Sequence, residues 1–325
     1  MNLSSLGLLL CWGAVLYSSA SAEYAVYESV DAGRSWSKSD KGLPADLRVN
    51  AFAVSGGRLL AATERGIYFS GDDAATWQPA KMSAWPTSRT LCVIDAGGRL
   101  LAGTDSGLLE SSDGGSSWRP TDSFPSARVR SLLASRGKAW AGADDQGVWV
   151  SSDAGRSWSA ASDGLPASPQ VFSMADLNGR VFAGLYSRGL WEWEAATELW
   201  EQRRPVEPLT IAAAGGTLVV GHNPGGLHWS EDQAVTWRRG VDPSTAGVGK
   251  ALMSDAPVWR LESGDELVLA GVADGVYLSR DLGRTWRRVE QGIPAGAPGI
   301  AFYVGKRVAL AAVILGGSID SRNSD

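Results

Sequence analysis

The sequence predicts an all-β protein, a seven-bladed β-propeller of four-stranded antiparallel blades whose last blade is closed by N- and C-terminal strands. Three observations predict it. An octet of the form Ser-x-Asp-x-Gly-x-x-Trp recurs at intervals of 37 to 49 residues. Between copies the chain runs through short apolar segments separated by Gly-containing turns. Its 325 residues include 40 glycines and 15 tryptophans, enough for many tight turns and many large aromatic anchors. Periodicity of this length means an array of one supersecondary unit.

The octet comes first. "SVDAGRSW" begins at Ser29, "SGDDAATW" at Ser70, "SSDGGSSW" at Ser111, "SSDAGRSW" at Ser151, "SEDQAVTW" at Ser230 and "SRDLGRTW" at Ser279. A seventh copy, "WEAATELW" from Trp193, departs in composition, but Trp200 keeps the spacing from Gly189 that Trp158 keeps from Gly147. The pattern fits a hairpin turn. Asp31, Asp72, Asp113, Asp153, Asp232 and Asp281 would accept backbone N–H groups, and Gly supplies positive φ at little cost. Trp36, Trp77, Trp118, Trp158, Trp237 and Trp286 then land at the start of the next strand, where an indole fills the wedge between blades and its N–H can reach a carbonyl. Ala74 and Ala234 replace the glycine in two copies.

Each unit reads as four strands, A to D. In the stretch from Val49, "NAFAV" meets a Gly-Gly turn, then "LLAAT", an "ERG" turn, "IYFS", and the octet leading into "TWQPA". Four antiparallel strands in about 40 residues make a propeller blade; a β-solenoid favours shorter repeats without paired hairpins. The chain after residue 22 begins inside a unit, with "YAVYESVDAGRSW" supplying only strands C and D. "GIAFYVGKRVALAAV" near the C-terminus supplies A and B. Shared between the two ends, one blade closes the ring and leaves no open edge. The final "GSIDSRNSD" resembles "GVYLSRDLG" from Gly275 and reads either as a truncated extra strand or as a frayed tail.

Six of the octets closely resemble the Asp-box (BNR) repeat of the sialidase-type propeller superfamily, and the repeats cover essentially all of residues 23–325. The resemblance implies that the octet aspartates are scaffold at the blade periphery, on the face away from any ligand. It does not fix an activity, because the superfamily includes sialidases, xyloglucan-type hydrolases, sortilin-type receptors and photosystem II assembly-factor-like proteins. The last group is the most similar in size, export, blade number and single-domain form. It implies a non-catalytic scaffold that binds a protein or peptide partner.

The remaining features bound the setting. "LGLLLCWGAVLY" followed by "SSASA" reads as an export signal over residues 1–22 with cleavage after Ala22, which predicts a periplasmic or secreted monomer with no membrane insertion after cleavage. The apolar run is shorter than the ~20 residues needed to span a bilayer. One thiol then remains, Cys92 in a strand-like run, expected to be a buried core residue. The formal charge of −5 excludes a general nucleic-acid binder. His222 and His228 are the only histidines, so no cluster supports zinc. No metal, cofactor or catalytic residue is assigned.

Function is expected on the face of the B–C and D–A connections. Arg48, Arg89 and Arg128 occupy one position on three successive blades, where strand A leaves the D–A connection; Gln170, Glu207 and Asp255 are the expected equivalents on the next three. Three converging guanidiniums suit a carboxylate, a phosphate or an acidic peptide. Trp85 and the long connection 239–256 would add apolar contact. A second reading has Glu64, Asp105 and Asp144 neutralising the arginines as surface pairs. The rival function is glycan chemistry or carbohydrate binding. The Arg-Ile-Pro-type motif of sialidases is missing from "EYAVYES", Tyr186 is at most a loose candidate nucleophile, and Asp144 or Asp145 with Asp274 would be the acid pair.

Overall fold

The computed structural model describes residues 22–83, 89–203, 207–222, 225–241, 257–264 and 267–316. Seven sheets of four antiparallel strands follow one another around a ring, one of them extended by Lys81–Met82, which pairs parallel to Ser117–Pro120. Blade 1 is representative, with strands A (Val49–Ser55), B (Arg58–Thr63), C (Gly66–Ser70) and D (Gln78–Pro79). Strand A of blades 2 to 6 is Thr90–Asp95, Val129–Ser135, Val171–Leu177, Pro208–Ala214 and Val258–Ser263. Blade 7 takes A (Gly299–Val304) and B (Ala309–Gly316) from the C-terminal end, and C (Glu23–Ser29) and D (Ser37–Lys38) from the N-terminal end. Strands B and C of that blade pair from Glu23 against Gly316 to Ser29 against Ala309. No helix occurs among the described residues. The tail from residue 317 and the leader to residue 21 lie outside them.

The octets form the turns that the sequence predicts. Asp31 Oδ1 accepts the Ser29 hydroxyl at 2.8 Å and the N–H groups of Arg34 and Ser35 at 2.9 Å, while Oδ2 takes the Ser35 hydroxyl at 2.6 Å. Ser29 Oγ in turn accepts the Gly33 N–H. The same exchange recurs around Asp72, Asp113, Asp153, Asp232 and Asp281. Ala74 and Ala234 adopt φ of 72° and 67°, so these two copies keep the glycine conformation at a cost of roughly 1–2 kcal/mol each.

The tryptophans are inter-blade wedges. Trp77 packs with Val26, Leu310 and Ala312 of blade 7 as well as with Val49, Leu59 and Ala61 of its own blade. Trp36, Trp118, Trp158, Trp200, Trp237 and Trp286 do the same at the other six interfaces, each against the preceding blade. Trp118, Trp158 and Trp286 donate Nε1–H to the carbonyl of their own octet glycine. Trp77 and Trp200 donate instead to Ser39 and Ala161 of the preceding connection. Trp36 and Trp237 differ from expectation, since each buries Nε1 without a hydrogen-bond partner among the described residues.

A second device was not anticipated from the sequence. The D–A connections "KGLP", "DGLP" and "QGIP" lay their glycines against the backbone of the next octet tryptophan. Trp77 N–H donates to Lys41 O at 2.8 Å, and Trp200 N–H to Asp163 O at 2.8 Å. A Cβ on Gly42 would lie 2.1 Å from Trp77 O, at φ +96°.

Two predictions follow from these contacts. Gly42→Ala combines a left-handed backbone with overlap onto a carbonyl, and it should cost on the order of 2–3 kcal/mol in urea unfolding. Gly56→Ala, also at positive φ but with open space around its Cβ, should cost only about 1 kcal/mol. The octet carboxylates also set acid stability. Hydrogen bonds, foremost from the Ser117 hydroxyl, hold Asp113 down at about 2, and the Thr236 hydroxyl does the same for Asp232. Between that value and the ordinary ~3.9 the unfolded chain binds more protons than the folded one. The octet contribution is therefore complete above about pH 5 and lost as pH falls toward 2. Denaturant midpoints should be flat from pH 7 to 5 and drop steeply below 4, and a midpoint unchanged at pH 3 would refute this assignment.

Candidate functional site

Ladder geometry brings the rim residues to one position. Each strand A carries a β-bulge at its second residue, as between Val49 and Ala51 or Thr90 and Cys92, which bends the strand at the channel mouth. The residue before the bulged strand is pinned by its carbonyl. Arg48, Arg89, Arg128 and Gln170 accept the N–H of Glu64, Asp105, Asp144 and Tyr186 from their B–C connections. Glu207 holds the same place beside Pro208, which pairs with His222. On blade 6 the pairing of Val258 with Val272 puts Pro257, not Asp255, in this position. Asp255 lies outside the described residues, as do Trp85 and residues 242–256 of the long connection.

The three arginines are equivalent in backbone position but differ in what they meet. Arg128 Nε lies 2.7 Å from Asp105 of the preceding blade, and its Nη1 lies 4.0 Å from Asp144. For Arg128, then, the ion-pair reading holds. Arg89 buries Nε without a hydrogen bond among the described residues. An arginine that the rim pattern missed, Arg130, sits at the bulge. Its Nε reaches both oxygens of Asp144 at 2.9 and 2.7 Å, and its guanidinium lies 4.8 Å over the Phe172 ring. Phe172 stacks on Tyr186 with centroids 5.0 Å apart. Tyr186 thus belongs to an aromatic stack on blade 4. Asp144 is tied to Arg130, and Asp274 accepts the Tyr277 hydroxyl at 3.0 Å.

Inside the rim is a channel of 480 Å³, bounded by the seven A strands. Side chains near the bulges sew neighbouring blades together around it. Asn50 Nδ2 donates to Thr90 O at 2.8 Å, Ser131 Oγ to Val171 O at 3.0 Å and Ser173 Oγ to Ile211 O at 3.4 Å; Thr210 Oγ1 accepts Leu261 N–H at 2.9 Å. Cys92 joins this ring with Sγ 3.6 Å from Val129 O.

The histidines meet edge to face at 4.8 Å on blade 5. Burial, reinforced by His228, pushes His222 down to about 4, so it is neutral at pH 7. Among the described residues no group of three or more His, Cys, Asp or Glu side chains is placed to hold a metal ion. No helix long and apolar enough to cross a membrane occurs among them.

With the ring, rim and channel defined, known proteins can be set beside them. The family described as the DUF6242 beta propeller domain matches residues 10–126. No curated protein matches the sequence. Among solved structures, the extracellular domain of BT4673 from B. thetaiotaomicron is similar with a TM-score of 0.67 at 16% identity, over 84% of this chain and 39% of that one. The chain therefore spans about two fifths of that protein's length. A structure of YCF48 bound to D1 peptide gives a TM-score of 0.62 at 16% identity, over 81% of this chain and 90% of that one. The GH74 xyloglucanase from Xanthomonas campestris gives 0.62 at 18%, over 90% and 56%. At these identities the likeness is one of fold.

The site's one thiol has a simple expected behaviour. Burial pushes Cys92 up to about 12, and the residue is 7% exposed. Iodoacetamide at pH 8 should leave Cys92 unmodified in the native protein and label it fully in denaturant, as read by peptide mass spectrometry. Rapid native labelling would contradict a core role.

Proposed function

We propose that this chain is an exported, non-catalytic scaffold that holds a protein or peptide partner on the face of the B–C and D–A connections. The observation that carries the reading is the rim itself. Arg48, Arg89 and Arg128 stand at one backbone position on three successive blades, beside a channel mouth edged by the Arg130–Phe172–Tyr186 stack. Arginine and tyrosine are enriched among residues that dominate binding energy at protein interfaces. Arg48 and Arg89 supply charge for an acidic segment, and Arg128 acts with them while braced by Asp105. The structure of YCF48 bound to D1 peptide supports a polypeptide as the partner class.

The octets are assigned to the Asp-box type and to scaffolding. Export with removal of residues 1–22 belongs to the same proposal; the BT4673 neighbours are extracellular domains. Glycan chemistry is the second reading, favoured by the fold's likeness to the GH74 xyloglucanase. Of its proposed acids, Asp144, Asp145 and Asp274, two have a side-chain partner in place, Asp144 with Arg130 and Asp274 with Tyr277.

Affinity capture from the native host followed by mass spectrometry identifies the partner. The Arg48→Ala/Arg89→Ala protein should recover less than a tenth of it at an unchanged melting temperature. Arg128→Ala should lower both recovery and stability, because Asp105 then loses its guanidinium. Undiminished recovery by the double variant would reject the rim, and turnover of sialosides or β-glucans by the parent would favour the enzyme reading.

A further inference from the structure

The channel contains five charged residues, Asp95, Arg130, Asp176, Arg260 and Glu262. Three are already engaged by neighbouring groups. Asp95 Oδ1 accepts the N–H groups of Gly97 and Gly98 at 2.9 and 2.6 Å, closing the A–B turn of blade 2. Asp176 accepts the Ser135 hydroxyl and the Gly179 N–H. Arg130 is held by both oxygens of Asp144. Arg260 and Glu262 remain, two residues apart on strand A of blade 6.

Their nearest charged atoms are 4.0 Å apart, beyond hydrogen-bond reach. Arg260 Nε is buried and has no hydrogen-bond partner among the described residues. Register places Arg260 level with Ala51, Cys92, Ser131, Ser173, Thr210 and Ala301 of the other blades, all small. A long cation therefore occupies a tier that leaves room beside it. The hydroxyls of Ser131, Ser173 and Thr210 are committed to the inter-blade bonds described above. Across the channel the Arg260 charge is felt at Cys92, where it opposes the larger effect of burial. Burial also pushes the Glu262 carboxyl up from its ordinary range, which weakens it as a counter-ion. Tyr303, on the facing strand of blade 7, is likewise pushed up by burial and then by Glu262, so its phenol keeps its proton.

We propose that the central channel is a binding site for a small oxyanion, a carboxylate or phosphate group, anchored by the Arg260 guanidinium. A planar fork of N–H donors that lines a channel, with Nε buried and the rest of the side chain part-exposed, suits two oxygens of one anion. Glu262 lies where it competes with that anion for Arg260. The site uses none of the rim arginines and stands whether or not the rim binds a partner.

Isothermal titration of the mature chain, with inorganic phosphate in one arm and acetate or succinate in the other at constant ionic strength, tests this. One arm should show saturable one-to-one binding, and which one identifies the ligand's head group. Arg260→Met should weaken binding at least tenfold with an unchanged circular dichroism spectrum. Glu262→Gln should tighten it several-fold by removing the competing carboxylate. Arg48→Ala/Arg89→Ala should titrate like the parent. Absence of saturable binding in both arms, parent-like affinity in Arg260→Met, or weaker binding in Glu262→Gln would each overturn the proposal. Should Arg260→Met fail to fold, the direction of the Glu262→Gln effect decides alone.

Discussion

The ring depends on one hydrogen-bonded turn. Each octet aspartate gathers two hydroxyls and at least one backbone N–H onto a single carboxylate, and the octet serine returns a bond to the residue at the turn's positive-φ position. That closes the C–D hairpin in one conformation, so the tryptophan three residues further on enters its strand in a fixed direction. An indole delivered that way fills the gap to the preceding blade. Six such deliveries, together with Trp200 of the degenerate copy, make seven apolar interfaces, one of them joining Trp77 to strands from both chain ends. Local polar chemistry thus decides where the largest side chains go, and hydrophobic burial provides the driving force.

Close approach at the inner edge has a different origin. Strand B is nearly free of side chains where it passes behind the bulge. A Cβ on Gly103 would lie 2.6 Å from both Cys92 Sγ and Val129 O, and one on Gly142 would lie 2.4 Å from Ser131 Oγ. Small residues there let a hydroxyl or thiol on strand A reach the next blade's carbonyl, giving a polar girdle inside the apolar one. On blade 6 the residue in the girdle position is Arg260, whose Nε makes no such bond among the described residues. That departure from the repeat is what opens the channel to a ligand.

How much of this was legible follows from what each feature depends on. The octets, the four-strand unit and the shared seventh blade are local patterns at constant spacing, so a single sequence displays them. Even the degenerate copy at Trp193 gave itself away through the Gly189–Trp200 spacing. The rim arginines were found by the same counting, and the structure keeps them level. Counting could not say that Arg128 would lie against Asp105 of another blade, because that contact is set by the twist between sheets. It also failed where the connection lengthened, assigning Asp255 to a position that pairing gives to Pro257. Arg130 and Arg260 were invisible for a related reason. A β-bulge shifts the inward-facing register by one residue, and nothing in "VRSLL" or "VWRLE" marks the bulge.

Repeats make departures informative. In a ring of equivalent blades, a charged residue at a position that is elsewhere small or apolar has no scaffold reason to be there, since six other blades close without it. Burying that charge is costly unless something pairs with it. Arg130 meets this requirement with Asp144 and an aromatic face, and its neighbourhood is therefore rigid. Among the described residues Arg260, whose side chain is 31% exposed although its Nε is buried, faces only the Glu262 carboxylate 4.0 Å away, and burial opposes that carboxylate's ionisation. The scaffold accounts for the first arginine and leaves the second incomplete, which is the condition under which a channel acquires a ligand.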